Sequence, residues 1–381
     1  MTKQADFKRR VRTRMSKTGE SYVTARNVLL AKTSGDPAVL LTEMADALHV
    51  SNGDATDLAG TGVARRILYW RDVLHEGPVP AVGAEELSRM RAAFLAGALD
   101  GDRAAIGSTF AERDDVLAAN REGRYVLWFE ADLVDQLQII QILDRLTQMQ
   151  VDAQRITLIC IGEHAGIARF GGLGELGAEQ LRALPGTNAC ARLTNSALQL
   201  ATRAWAAFRA PTPLGLGGIA ETRSGELRFL GEAFERLSRE YPSTGDGLSL
   251  TERRLLAAVA DGASDAATAF VRANAREARR FLGDCWGYAA VQRLATAAVP
   301  LLDVDSIPVK SDTAVHITDA GRRVLAGEDD HVALNGVDRW IGGVHLSGHD
   351  VTWRWDEGTE SIVGGAVGQP DSRLRPKSSS Q

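Results

Sequence analysis

Three carboxylates, Glu130, Asp132 and Asp135, fall within six residues in the stretch YVLWFEADLVDQLQIIQILDRL (125–146), where an unbroken apolar run gives way to a helical pattern. Oxygen ligands in this number suit a hard divalent cation such as Mg²⁺ or Mn²⁺, with waters completing its octahedron. Such an ion orients a phosphate or lowers the pKa of a bound water. Without an ion, like charges held together raise one another's pKa, so that one of them keeps a proton and can serve as general acid. Asp54, in VSNGD, and Asp72, in RILYWRDVL, stand in comparable places, each just beyond a short apolar run. The candidate metal ligands are therefore Asp54, Asp72, Glu130 and Asp132, and the candidate acid/base groups Asp54, Asp72 and Glu130. For the aspartates two other roles stay open: capping a following helix or turn, and pairing with an arginine such as Arg71.

Other polar residues fall at the same places in the pattern. Arg71 offers a guanidinium fork for a phosphate or carboxylate, or else a structural pair with Asp72 or Glu130. His75 precedes the breaker Glu76–Gly77–Pro78, and Glu163–His164 follow the run RITLICIG (155–162). Asp135 and Gln136 are candidate ligand contacts; Gln136 and Gln141 alternatively form the polar face of a surface helix. ARFGGLGEL (168–176) has a glycine-rich turn whose backbone N–H groups could cradle an anion. It is not GxxxxGK[ST], and GTG at 60–62 is only a fragment of a dinucleotide fingerprint. HExxH and GxSxG do not occur, so zincin and α/β-hydrolase chemistry have no motif behind them. His345 and His349 lie four apart in an alternating segment, which is poor helical-face spacing for a metal pair.

What must position these groups is a set of strands. LHVSNGD, RILYWRDVL (66–74), YVLWFEADL and RITLICIG are continuous apolar runs separated by helical patterns, the signature of a parallel sheet covered on both faces. Ligands bind outside the carboxyl ends of such strands, so the acids should converge at one rim. A helical stretch is expected over roughly 84–122, with breaks near Gly101 and Gly107. The expected organisation is a basic helical element over 1–32, a linker over 33–46, a Rossmann-like α/β domain over 47–200, a mainly helical, winged-helix-like domain over 201–357, and a disordered tail over 358–381. An amphipathic helix is expected over 195–208 and a loop over 211–218, and GLSLTERRLLAAVADGA (247–263) opens a helix-turn-helix with Ser249 or Thr251 as cap. AVHITDAGRRVLAG (314–327) has a strand–turn–helix rhythm, and VHLSGHDVTWRWDE (344–357) reads as a hairpin turning at GHD.

The 381 residues carry 44 Lys/Arg against 49 Asp/Glu, a net charge of −5. Residues 1–32 hold nine Lys/Arg against Asp6 and Glu20, a net of +7, which leaves −12 for the rest. An acidic body disfavours general adhesion to nucleic acid, while the basic lead could contact phosphates or dock on the body. A helix over 274–284 carrying Arg276, Arg279 and Arg280 is the second candidate nucleic-acid contact. Cys160, Cys190 and Cys285 are widely spaced and odd in number, which fits a reducing compartment better than a disulfide framework. No 18-residue apolar window occurs, so no membrane span is expected, and a cytoplasmic protein is the default.

VSNGD, ILYWRDVLHEGPVP, VLWFEADLVDQLQIIQIL, ICIGE…RFGGLGEL and LTERRLLAAV…LNGVDRWIGGVHL, in this order over about 47–356, resemble the bacterial family named only as domain of unknown function 1835, with its companion C-terminal domain. The resemblance implies no particular activity. The family often has histidine where this chain has Ala131, so any role of that histidine is lost or replaced here. The lead RMSKTGESYVTAR resembles a short element attached to diverse bacterial proteins. The expectation is an enzyme or ligand-binding protein for a small anionic or nucleotide-like molecule. The alternatives are a DNA-binding regulator without catalysis and an interaction scaffold.

Overall fold

The computed structural model describes residues 12–13 and 43–364. Apart from residues 12–13, the basic helices expected over 1–32 lie outside the described residues, as do most of the 33–46 linker and the tail beyond residue 364. The fold is α/β, with a mainly parallel five-stranded sheet and many helices.

The four apolar runs become β1 (Leu48–Ser51), β2 (Arg66–Tyr69), β3 (Tyr125–Glu130) and β4 (Ile156–Ile161), all parallel. Their order is β2-β1-β3-β4, and β5 (Cys190–Arg192) adds an antiparallel edge beside β4. Between β2 and β3 run α1 (Ala84–Ala98) and α2 (Arg103–Ala119). The break between them is at 99–102, where the Asp102 carboxylate accepts from Ala104 N (2.8 Å) and starts the new helix. Gly107, expected as a second break, lies inside α2; one glycine costs a helix only about 1 kcal/mol.

Between β3 and β4 runs α3 (Leu133–Gln148), and after β4 come α4 (Ala178–Ala183) and α5 (Asn195–Arg209). Val126, Trp128, Ile159 and Ile161 on one face of the sheet form a core with Met44, Leu58, Leu173 and Leu181. Helix α3 packs on β3 and against α5. All but three of its sixteen residues are buried, so the expected polar surface face of Gln136 and Gln141 does not exist. Polar groups buried all around a helix must find partners. Three glutamines find theirs on the sheet. Gln136 Nε2 donates to Glu130 O at the end of β3 (2.7 Å) and to Cys160 Sγ on β4 (3.4 Å). Gln138 Nε2 donates to Asn52 Oδ1 beyond β1 (2.9 Å) and to Asp72 O beyond β2 (2.6 Å). Gln141 Oε1 accepts from Trp70 Nε1 (2.7 Å). One helix thus fastens the ends of all four parallel strands.

The chain continues with α6 (Leu216–Ala220), so only the first part of the expected 211–218 loop is non-helical, apart from a single 3-10 turn at Pro213–Gly215, and then α7 (Leu230–Ser238). The described residues divide into two compact units. The first holds the residues up to Arg209 with Gly218–Phe234 and Arg279–Phe281; the second holds Ala210–Gly217, Glu235–Ala278 and the chain from Leu282 on.

In the second unit α8 (Leu250–Ala260) opens on a capping box: Ser249 Oγ accepts from Glu252 N (3.2 Å) and Glu252 Oε2 from Ser249 N (2.9 Å). There follow α9 (Ala266–Asn274), α10 (Asp284–Ala295), the antiparallel pair β6 (Leu302–Val304) and β7 (Val315–Ile317), α11 (Asp319–Leu325) and α12 (His331–Asn335). Leu255, Leu256, Val291, Leu294, Leu302 and Val324 share their core. The expected arginine-bearing helix over 274–284 is absent: α9 ends at Asn274 and α10 begins at Asp284, with an irregular link between them.

The hairpins also differ from expectation. β8 (Val337–Ile341) pairs with β9 (Val344–Gly348) across Gly342–Gly343, and Gly342 has the positive φ of 59° that a two-residue turn requires. GHD ends β9 instead of turning it. β10 (Arg354–Asp356) pairs with β11 (Ser361–Val363), so ordered structure extends past residue 357 into the expected tail.

Candidate functional site

Strands β1 and β3 are neighbours, but the chain leaves β1 toward β2 on one side and leaves β3 toward β4 on the other. Such a reversal opens a crevice between the two carboxyl ends. The structure brings Glu130, Asp132 and Asp135 together at this place, with one ligand oxygen from each all within 4.8 Å of one another. Oxygens bound about 2.0–2.6 Å from one divalent cation are spaced on that scale.

Each carboxylate is held by a specific donor. Asp132 is the N-cap of α3 and accepts from Asp135 N (3.1 Å). Asp135 Oδ1 accepts from Asn52 Nδ2 (2.7 Å), which ties it to the end of β1, and Oδ2 accepts from Glu130 N (2.6 Å). Glu130 Oε1 accepts from Leu173 N (2.7 Å), the first residue of a 3-10 turn. The glycine-rich turn expected to cradle a ligand anion therefore gives that N–H to the chain's own carboxylate. Gly172 permits the approach: its φ is 149°, and a Cβ there would fall on the Glu130 carboxylate.

Few charges of opposite sign offset this cluster. Burial pushes the Glu130 carboxyl up to about 7, and the neighbouring Asp132 and Glu175 add to the rise against the Leu173 N–H bond. Burial likewise pushes Asp132 up to about 6, and burial together with Asp132 and Glu130 puts Asp135 well above the carboxylate range. The three titrate as one set, and at neutral pH that set retains a proton. It can therefore either exchange a proton with a ligand or give the proton up to a cation.

The other expected members lie apart. Asp72 is 1% exposed and its Oδ1 accepts from Arg91 Nε (3.1 Å) and Nη2 (2.9 Å). It is neither a metal ligand nor an acid/base group, because a buried guanidinium already takes its charge. Asp54 pairs with Arg71 at 2.8 Å in an exposed bridge, so neither joins the three acids and Arg71 is no clamp at this cluster. His75, expected on an open loop, is buried with its ring edge-on to Phe281 (5.3 Å between centroids). Arg91 closes the loop around it by donating to Val73 O and Glu76 O. Glu163 is exposed just beyond β4, and His164 bridges to Ile167 in the same loop. Gln136 holds backbone and thiol groups as described above. Cys160 is inert, its thiol pushed up to about 12 by burial.

Asn52, Gln138 and Arg91 were missed as site residues, whereas Gly172 and Leu173 lie in the glycine-rich turn singled out in the sequence. Only Asn52 carried a signal, its place in VSNGD beside Asp54. Two arginines expected on a recognition helix are instead part of the first unit. Arg279 Nη1 donates to Gly162 O (2.6 Å) and its Nε to Glu232 (3.2 Å), while Arg280 donates to Arg169 O (2.9 Å). Arg276, in the second unit, pairs with Asp261 (2.7 Å). Around Gly162 the backbone, Ala131 and Arg279 crowd together: a Cβ on that glycine would lie 2.7 Å from Ala131 Cβ and 2.9 Å from Arg279 Nη1. A guanidinium thus stands next to the residue between Glu130 and Asp132.

No protein-family model matches the chain, and no match is found among curated proteins. Among solved structures it is similar to the ORC1 protein of Aeropyrum pernix in complex with DNA, at 16% identity over 76% of this chain and 91% of that one. The TM-score of 0.18 is too low for fold or function to be carried across. Among the described residues no helix is long and apolar enough to cross a membrane.

Proposed function

We propose that the first unit, a Rossmann-like domain, binds a small anionic or nucleotide-like molecule through a divalent cation, Mg²⁺ or Mn²⁺, held by Glu130, Asp132 and Asp135. The observation that carries this reading is the meeting of three carboxylates in the crevice between β1 and β3, with proton affinities raised to near neutrality. Arg279, whose guanidinium lies beside Gly162 and Ala131, is the cation assigned to meet the anion, a role first given to Arg71. Whether as metal ligands or as proton carriers, the acids make the unit an enzyme or a ligand-binding protein. In this reading the chain is a cytoplasmic bacterial protein of the family its motifs resemble.

A cation must displace the protons the set retains, so its affinity should fall as pH drops through 7 toward 6, well above the range of ordinary carboxylates. Millimolar Mn²⁺ is expected to raise the melting temperature at pH 8 and to have little effect at pH 5.5. Asp132→Asn should remove the response. Absence of any Mg²⁺ or Mn²⁺ effect at pH 8 would reject the cation and leave the proton-exchange role.

A regulator that contacts DNA is the second reading. Its support is the order of elements in the second unit: residues 264–266, between α8 and α9, hydrogen-bond to 313–315 at β7, as in a winged helix. The helix that would enter the groove is then α10, with Asp284 and Arg293 at its ends, and the β6–β7 link carries Asp305, Lys310 and Asp312. Neither is a basic surface, so this reading rests on residues 1–32, and salt-dependent DNA affinity abolished by their deletion would favour it.

A further inference from the structure

Asp132 is 8% and Asp135 2% exposed, so a ligand reaches the acidic crevice only if part of its wall moves. The strand ends are poor candidates, because Gln136, Gln138 and Gln141 of α3 fasten them. A lighter part of the wall is the loop after β4, from Gly162 to Gly172. It exposes Glu163, Gly166 and Arg169 and ends with Gly172 and Leu173 against the Glu130 carboxylate.

Three consecutive residues lie against this loop and against a second one. Arg279 Nη1 donates to Gly162 O (2.6 Å) and Arg280 Nη2 to Arg169 O (2.9 Å), both beyond β4. The ring of Phe281 stands edge-on to His75 in the loop beyond β2, with 5.3 Å between centroids. In the sheet, β2 and β4 flank β1 and β3. From β2 to β4 is three strand spacings, about 14 Å, whereas three extended residues cover roughly 10 Å. Side chains bridge the difference, and no slack is left for a detour. A segment that touches the loops after both outer strands therefore crosses the ends of the two inner ones, where the acids lie.

The crossing is lightly held. Besides the two carbonyl bonds and the ring contact, Arg279 Nε meets Glu232 at 3.2 Å, in a pair whose members are 32% and 41% exposed. Such a bridge contributes little in water. The stretch is neither helix nor strand, and segments of this kind open locally at low free energy. Arg279–Phe281 belong to the first unit, although the chain on either side of them belongs to the second.

We propose that Arg279–Phe281 is a strap over the acidic crevice. It lifts, with the loop it pins, to admit the cation and its anion, and it closes with Arg279 against Gly162 and Ala131. What the crevice admits rests on the cation reading above; that the strap covers the crevice does not.

The test compares the full chain with Arg280→Gln and with Arg280→Gln/Phe281→Ala at pH 8, leaving Arg279 in place. One measurement is deuterium exchange of the peptide carrying the Leu173 N–H, which is bonded to Glu130 and reports opening without any metal. The other is stopped-flow association and chelator-driven release of Mn²⁺. The double variant should speed Leu173 exchange and both Mn²⁺ rates about tenfold, with Mn²⁺ affinity nearly unchanged, since a gate alters passage in both directions alike. Arg280 is exposed, so its single variant folds even where the double does not, and effects of about threefold are expected from it. Exchange in α8 should stay as it was. Unchanged Leu173 exchange in the folded variants, or faster exchange with unchanged Mn²⁺ rates, overturns the strap. If the parent chain takes up no Mn²⁺ at pH 8, the cation reading fails by itself, and Leu173 exchange alone decides on the strap.

Discussion

Arg91→Met is expected to destabilise the first unit by about 3–5 kcal/mol, the usual consequence of removing one partner of a buried ion pair. Arg91 and Asp72 are each 1% exposed. The same guanidinium donates to Val73 O (2.9 Å) and Glu76 O (2.6 Å), and its carbon lies 5.1 Å from the centre of the Phe94 ring. Its loss strands a buried carboxylate and removes a donor from Val73 O and from Glu76 O, although Val73 O keeps the Glu76 N–H (3.2 Å). The double variant Arg91→Met/Asp72→Leu should recover most of the loss, because the large effect comes from the uncompensated charge and not from the attraction itself. Urea unfolding followed by the fluorescence of buried Trp70 and Trp128 measures both. A loss below about 1 kcal/mol in the single variant would refute the account. That is the range expected for the exposed Arg71–Asp54 pair, which solvent screens.

Glu130→Gln is expected to stabilise the protein at pH 8 and to leave it unchanged at pH 4. The folded state holds the Glu130 proton up to about 7, whereas an unfolded glutamate releases it near the ordinary value of 4.5. Between these values the folded state binds more protons than the unfolded, so stability falls as pH rises through that window. The contribution is fully present below the unfolded value and is lost above 7, when a charge must sit beside Asp132 and Asp135. Glutamine keeps an oxygen for Leu173 N–H and carries no charge. The gain at pH 8 should be on the order of 2 kcal/mol, or roughly 4–8 °C in melting temperature. The same substitution should weaken Mn²⁺ binding, giving a variant more stable yet poorer as a site. Equal melting temperatures at pH 8 for variant and parent would contradict the raised proton affinity.

The parallel sheet was legible because its strands are short apolar runs, buried on both faces in β1, β3 and β4, with polar residues at their carboxyl ends. Strand order was not legible, since YVLWFE carries nothing that specifies LHVS as its neighbour. The three residues of β5 are too short for any pattern to show. The acidic cluster was half visible. Glu130, Asp132 and Asp135 are adjacent in sequence and stay together in space, but Asp54 and Asp72 looked equivalent to them. What sets Asp72 apart is Arg91, nineteen residues later and one full helix turn beyond Leu87 on the buried face of α1, while Asp54 is drawn off by Arg71. A guanidinium swung in from another element has no local signature. The arginines of 276–280 failed in the same way: their spacing suggested one helical face, whereas Arg276 and Arg279 belong to different units.

Gln136, Gln138 and Gln141 of α3 bear on how the acidic crevice responds to its surroundings. Primary amides neither gain nor release hydrogen ions over the physiological range, so the clamps on the strand ends are indifferent to acidity. The carboxylates can load and unload protons, or trade them for a metal, while these amide clamps on the strand ends keep their own charge state.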